Sequence, residues 1–355
     1  MPKKLLVGLL LYSTFVFACE WDSDTLRDEA VANPSRFDVL VGQFAHHGIP
    51  YYQHRIEKLS AKASLTQTEK NDLAVAYTRV GEFEKSEKLL MELVKEDPDY
   101  YPALSNRGVL AKKQGDYETA IVYIGKALAI NPEGHLGIGD WYLRMLEWLQ
   151  KFEEDSNYDG HFLNYREDEG PSLNREEYMD RLFALVKNAQ TFADGFYVLS
   201  RELANQNDFN LAFIAMVRAR DLGHPKALAI EGEFTAENTG WMMDDELFGP
   251  PSDFSNAMGT ESRLNESTVR ETLEIASDWR EKYARRELEL LEQGIDPTFA
   301  AMKSETNIHD QKFRPAPFVK SSIIYILFGY GIVSLVVVVS GVIIVRKLTL
   351  KIFQR

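Results

Sequence analysis

Residues 67–100 and 101–134 align without a gap at a spacing of 34 residues, and this repeat constrains the fold more than any other feature of the chain. A period of that length is one helical hairpin per repeat. A single hairpin cannot cover its own apolar face, so successive hairpins must stack into a continuous core. The matched positions are those a hairpin needs. Small residues stand at position 8 (Ala74, Gly108), where the first helix approaches the second, and glycines at position 15 (Gly81, Gly115), where the chain reverses. Phe83 and Tyr117, Ser86 and Ala120, Leu90 and Ile124, and Leu93 and Ala127 then line the second helix, and Pro98 and Pro132 end it by removing a donor and crowding the preceding turn. Alternating strand patterns of useful length are absent, so the expected class is all-α.

The phrases "GEFEKSEKLLMELVKEDP" and "GDYETAIVYIGKALAINP" closely resemble the tetratricopeptide repeat family. The resemblance implies a solenoid whose first helices line a concave groove that holds a segment of another protein through a few polar contacts and apolar pockets. Carried over position by position, the candidate partner-binding residues are Asn71, Thr78 and Arg79 in the first repeat and Ser105, Val109, Lys112 and Lys113 in the second. Position 5 lacks lysine and position 9 lacks asparagine, so the two-carboxylate clamp for acidic C-terminal peptides is not implied. Arg79, Lys112 and Lys113 would form a local positive island suited to an acidic segment.

A third, degenerate unit starts at Ala193 and keeps Ser200, Phe209, Ala212, Met216 and Ala219 in register, with Asn207 in place of the turn glycine; the phrase "DLGHPKA" after it resembles the related Sel1-type repeats. The organisation read from the sequence is a helical segment over 19–66, two repeats with a tryptophan-bearing cap over 67–150, an acidic irregular stretch and helix over 151–192, the degenerate repeat over 193–232, and a polar loop over 233–266. A long amphipathic helix over 267–294 follows, bracketed at its start by Thr268 and Glu271, with Val269, Leu273, Ala276, Trp279 and Tyr283 as its apolar stripe. Residues 295–320 form a juxtamembrane spacer. That long helix is also a candidate to fill the groove from within the same chain.

The two ends point to export and anchoring. Residues 1–18 carry Lys3 and Lys4, an apolar run and then Val16 and Ala18 at the −3 and −1 positions, the form of a signal peptide. The following "CEWDSDTL" and the later "YYQHRIEKL" resemble the start of exported repeat proteins of bacteria, and Cys19 after Ala18 resembles a lipobox in which Phe17 is too bulky. Residues 321–345 are 25 consecutive uncharged residues, which as a helix of about 1.5 Å per residue exceed the roughly 30 Å hydrocarbon core. Arg346, Lys347, Lys351 and Arg355 follow, placing the 346–355 tail in the cytoplasm and the larger part outside, in the periplasm of a bacterium.

Without these end segments the chain has 34 Lys and Arg against 54 Asp and Glu, a surface that repels phosphate backbones and excludes nucleic acid as the expected partner. A single cysteine excludes internal disulfides and thiolate metal clusters. Asp155, Asn157, Asp159 and Gly160 spell half a calcium loop, but the twelfth position is Arg166, and a guanidinium coordinates no cation. His46, His47 and His54 read as surface or helix-end histidines. No nucleophile elbow, phosphate loop or H-E-x-x-H occurs, so neither catalysis nor a cofactor is expected. The expected function is a membrane-tethered extracytoplasmic scaffold that binds a protein or peptide. The alternative is an exported hydrolase or metal-binding protein with its site in 151–182.

Overall fold

The computed structural model describes residues 22–23, 34–158, 160–163, 174–206, 208–230, 265–298 and 301–302. The chain divides into two compact units, residues 1–310 and 311–355, and all described residues lie in the first. The expected signal peptide, Cys19, most of the 233–266 loop, the 321–345 span and the basic tail lie outside the described residues. Among the described residues no helix is long and apolar enough to cross a membrane.

The described residues are all-α in class. Helix α1 (Arg36–Val41) opens with a capping box in which Ser35 and Asp38 satisfy each other's backbone N–H, and stops at Gly42, whose φ of 72° favours a residue without a Cβ. Helix α2 (Ile49–Ser60) carries Pro50 in its first turn, where the missing N–H costs nothing.

The two repeats form hairpins α3 (Gln67–Arg79) with α4 (Phe83–Glu96) and α5 (Tyr101–Lys113) with α6 (Tyr117–Ile130). Gly81 and Gly115 take φ of 84° and 80° at the reversals. At position 8 the crossing is close enough that a Cβ on Gly108 would sit 2.7 Å from Ile124 Cγ1. Ala74, Leu90, Leu93, Ala103 and Leu110 close one cluster between the hairpins.

Short α7 (Gly134–Gly137) and α8 (Gly139–Glu154) follow, and α8 packs on α6. Trp141, Tyr142 and Met145 on its inner face are fully enclosed. Next come α9 (Arg175–Asn188), α10 (Ala193–Asn205) and α11 (Phe209–Asp221). The α10–α11 hairpin repeats the geometry of the first two. Glu82 N–H donates to Tyr77 O, Asp116 N–H to Ala111 O and Asp208 N–H to Leu203 O, each at 2.9 Å and each between repeat positions 16 and 11. At position 8, Ser200 Oγ donates to Ala212 O at 2.7 Å, so a hydroxyl rather than a glycine joins the two helices.

After the short α12 (Pro225–Leu228), α13 (Glu266–Glu292) is capped by an Asn265–Thr268 capping box, one turn earlier than the Thr268–Glu271 bracket expected from the sequence. Among the described residues the long helix has its main packing partners outside the first helices of the two repeats. It packs on α2, α1 and α11, and α2 in turn packs on α3.

Candidate functional site

The structure distributes the seven groove residues between interior and surface. Asn71 and Asn106 face each other on α3 and α5, with Asn106 Nδ2 donating to Asn71 Oδ1 at 2.9 Å. Thr78 Oγ1 donates to Ala74 O and shares a 2.7 Å hydrogen bond with Ser86 Oγ inside the first hairpin. Ser105 and Val109 are completely enclosed. Arg79 is buried with its guanidinium over the Tyr52 ring, 5.3 Å from the centroid, so the last turn of α3 is covered by α2 of the same chain. Asp72, beside Asn71, receives Ser23 N–H and Ser23 Oγ and faces Arg55 at 3.6 Å, which adds further N-terminal cover to this face.

Lys112 and Lys113 remain partly solvent-facing at the end of α5. Lys112 lies over the Tyr142 ring of α8, 5.8 Å from its centroid. Burial, and then the positive charge of Arg79, push the Lys113 ammonium well below its ordinary pKa although part of the side chain touches solvent. Arg79 and Lys113, on adjacent hairpins, thus disfavour each other's charge, in the same direction as the burial of Lys113.

A second polar centre joins three segments later in the chain. Asp194, in the first turn of α10, is completely buried. His161 Nδ1 lies 2.8 Å and His224 Nε2 lies 3.0 Å from the same Asp194 oxygen, Oδ1. Phe162 N–H donates to the other oxygen, Oδ2, at 2.7 Å. Burial alone would raise the Asp194 pKa, but the hydrogen bonds from His161, His224 and Phe162 hold it below the ordinary carboxylate value.

Local chemistry explains why these groups meet. Trp148 of α8 donates its indole N–H to Gly160 O at 2.6 Å, and Phe162 and Leu163 are buried just beyond, so the 160–163 loop is fixed on both sides of His161. His224 follows Gly223, which has φ of 86°, and donates its backbone N–H to Ala219 O in the turn that ends α11. Tyr197 stacks on both imidazoles, with centroids 5.1 Å from His161 and 4.2 Å from His224. The three ligating atoms lie within 4.8 Å of one another, and these are the described residues that could hold a metal ion.

None of the three was selected from the sequence. They stand 30 and 33 residues apart in pairs with Asp194, so no short spacing motif joins them; the available signals were the "DLGHPKA" phrase and the degenerate repeat's start. His47 also departs from the surface reading. It is buried, stacked on Tyr51 and 2.6 Å from the buried Glu287 carboxylate, because α13 lies across the start of α2.

Comparison with known families adds one finding: the tetratricopeptide repeat model matches residues 101–133, the span of the α5–α6 hairpin and its following turn. A hairpin with the family's sequence pattern, the glycine reversal at position 15 and the small position 8 packed on the second helix is thus in place, and this chain carries a tetratricopeptide repeat.

Proposed function

We propose that the chain is a membrane-tethered extracytoplasmic scaffold that holds an acidic protein or peptide segment at the end of α5. Tetratricopeptide repeats are protein-interaction units, which supports binding as the general role. The observation that carries the more specific reading is Lys112, which lies over the Tyr142 ring at the end of α5 and is partly open to solvent in an otherwise acidic chain. A cation held in one place on a protein surface steers and retains a complementary carboxylate.

The contact surface in this reading is narrower than the repeat positions alone suggest. Asn71 joins the two hairpins through Asn106, Thr78 bonds within the first, Ser105 and Val109 are enclosed, and Arg79 lies over Tyr52, which leaves Lys112 and the partly exposed Lys113 to meet the partner. Tethering rests on the uncharged 321–345 run and the basic residues after it, and extracytoplasmic placement on the form of residues 1–18. Capture of partners from membranes tests the binding arm. Lys112→Glu should weaken capture by about 2 kcal/mol, near thirtyfold, while Lys112→Gln, which also loses the cation over Tyr142 but adds no negative charge, should weaken it less. Undiminished capture by the Lys112→Glu variant would remove this site from consideration.

A further inference from the structure

We propose that His161 Nδ1, Asp194 Oδ1 and His224 Nε2 form a site for one divalent transition-metal ion of the zinc class, which staples the loop after α8 to the start of α10 and the end of α11. Two imidazoles and one carboxylate are the donor set such an ion takes when three protein ligands leave a further position for water. Here the three donors come from separate segments and lie within 4.8 Å of one another. Convergence of that kind is more specific than a run of acidic side chains on a surface.

The carboxylate is oriented as a ligand would need to be. Phe162 N–H occupies Oδ2, which turns Oδ1 into the space between the two imidazole nitrogens. The imidazole planes are nearly parallel, at 13°, with centroids 6.1 Å apart, and Tyr197 holds them in that relation. His224 and Asp194 are completely buried, while His161 keeps 23% of its side chain exposed and provides the entry side. Tetrahedral zinc ligands at about 2.0–2.1 Å lie roughly 3.3 Å apart, so the two contacts to Asp194 Oδ1, at 2.8 and 3.0 Å, must open by a few tenths of an ångström, and the part-exposed His161 side chain is the member able to move.

Without an ion, Asp194 Oδ1 accepts an N–H from each imidazole, and Lys226 Nζ, 3.2 Å from His161 Nε2, donates to that outer nitrogen. The ion replaces the two inner protons. The proton of His161 then moves to Nε2, and the Lys226 ammonium turns toward solvent. His224 Nδ1, buried and without a hydrogen-bond partner among the described residues, becomes its proton-bearing atom. That incomplete outer shell sets the affinity roughly 10–100-fold below that of a site whose outer nitrogens are both paired.

The test uses the full chain, stripped with a chelator and titrated with zinc ion alone, with retained metal measured after desalting and melting temperature measured in parallel. One ion per chain and a rise in melting temperature are expected. His161→Gln should lower the affinity at least tenfold while keeping the ion-free melting temperature and helical content, since its loop is anchored by Trp148, Phe162 and Leu163. Lys226→Gln should bind zinc as tightly as the parent or more tightly, because it removes a neighbouring cation and leaves an acceptor for His161 Nε2–H. Failure of the parent chain to retain zinc would overturn the proposal and leave the three residues as a hydrogen-bonded structural cluster. Equal retention by His161→Gln would overturn it as well, placing the ion elsewhere.

Discussion

At the scale of single residues, the two repeat glycines of the second hairpin have different physical jobs. Gly108 is small because Ile124 is against it: an added Cβ would meet Ile124 Cγ1 at 2.7 Å and its backbone nitrogen at 3.1 Å. Gly115 has open space around it and is instead fixed by its φ of 80°. Gly108→Val should therefore cost about 2–4 kcal/mol through overpacking and Gly115→Ala about 1 kcal/mol through conformation alone. Urea unfolding of both variants would show that order, and a reversed order would mean that position 8 is not a contact. His46 gives a pH signature. Burial, then the charges of Arg280 and His47, lower its pKa from 6.5 to about 3, against a weaker opposing bond to Phe44 O. The native imidazole stays neutral while the unfolded one takes a proton below pH 6.5, so stability is lost as pH falls from 6.5 toward 3. His46→Gln should flatten that limb by on the order of 3 kcal/mol, read from denaturation midpoints at pH 7 and pH 4.

At the scale of elements, the partners of each helix decide what the repeat surface offers. The sequence supplies α3 with Asn71, Thr78 and Arg79 at groove positions, and α2 covers the last of these with Tyr52. Helix α2 in turn packs on α13, and its start is fixed there by Glu287: His47 Nδ1 lies 2.6 Å from Glu287 Oε1 and Gly48 N–H donates to Glu287 Oε2 at 2.7 Å. Glu287→Ala would remove the buried carboxylate that His47 Nδ1 and the Gly48 N–H share, at a cost of about 2–4 kcal/mol. Hydrogen exchange should show α2 and α13 opening first in that variant, while the α5–α6 hairpin keeps its protection. Uniform loss of protection would mean that the N-terminal helices and the repeats unfold as one unit.

At the scale of the whole molecule, the orientation expected from the ends gives a direct test. On the proposed topology, protease added outside the inner membrane should digest residues 20–315 and leave a small fragment containing 321–355, because an export signal at 1–18 and a basic tail at 346–355 would fix the direction of insertion; protection of the repeats would overturn that topology. The sequence by itself determined the all-α class and the two hairpins of 67–130, because a gapless period with matched glycines and prolines encodes contacts between neighbours in the chain. It also located a third hairpin without its turn glycine, whose Asp208 N–H still closes the same reversal on Leu203 O. What only the tertiary structure decided are the long-range meetings: Tyr52 beneath Arg79, Glu287 against His47 across 240 positions, and His161 and His224 on Asp194. Periodicity reports which face of a helix is apolar, but not which distant helix will cover it. That choice is made by the summed packing of helices whose faces are individually interchangeable, so a buried carboxylate and its histidines become recognisable only once the hairpins have been stacked.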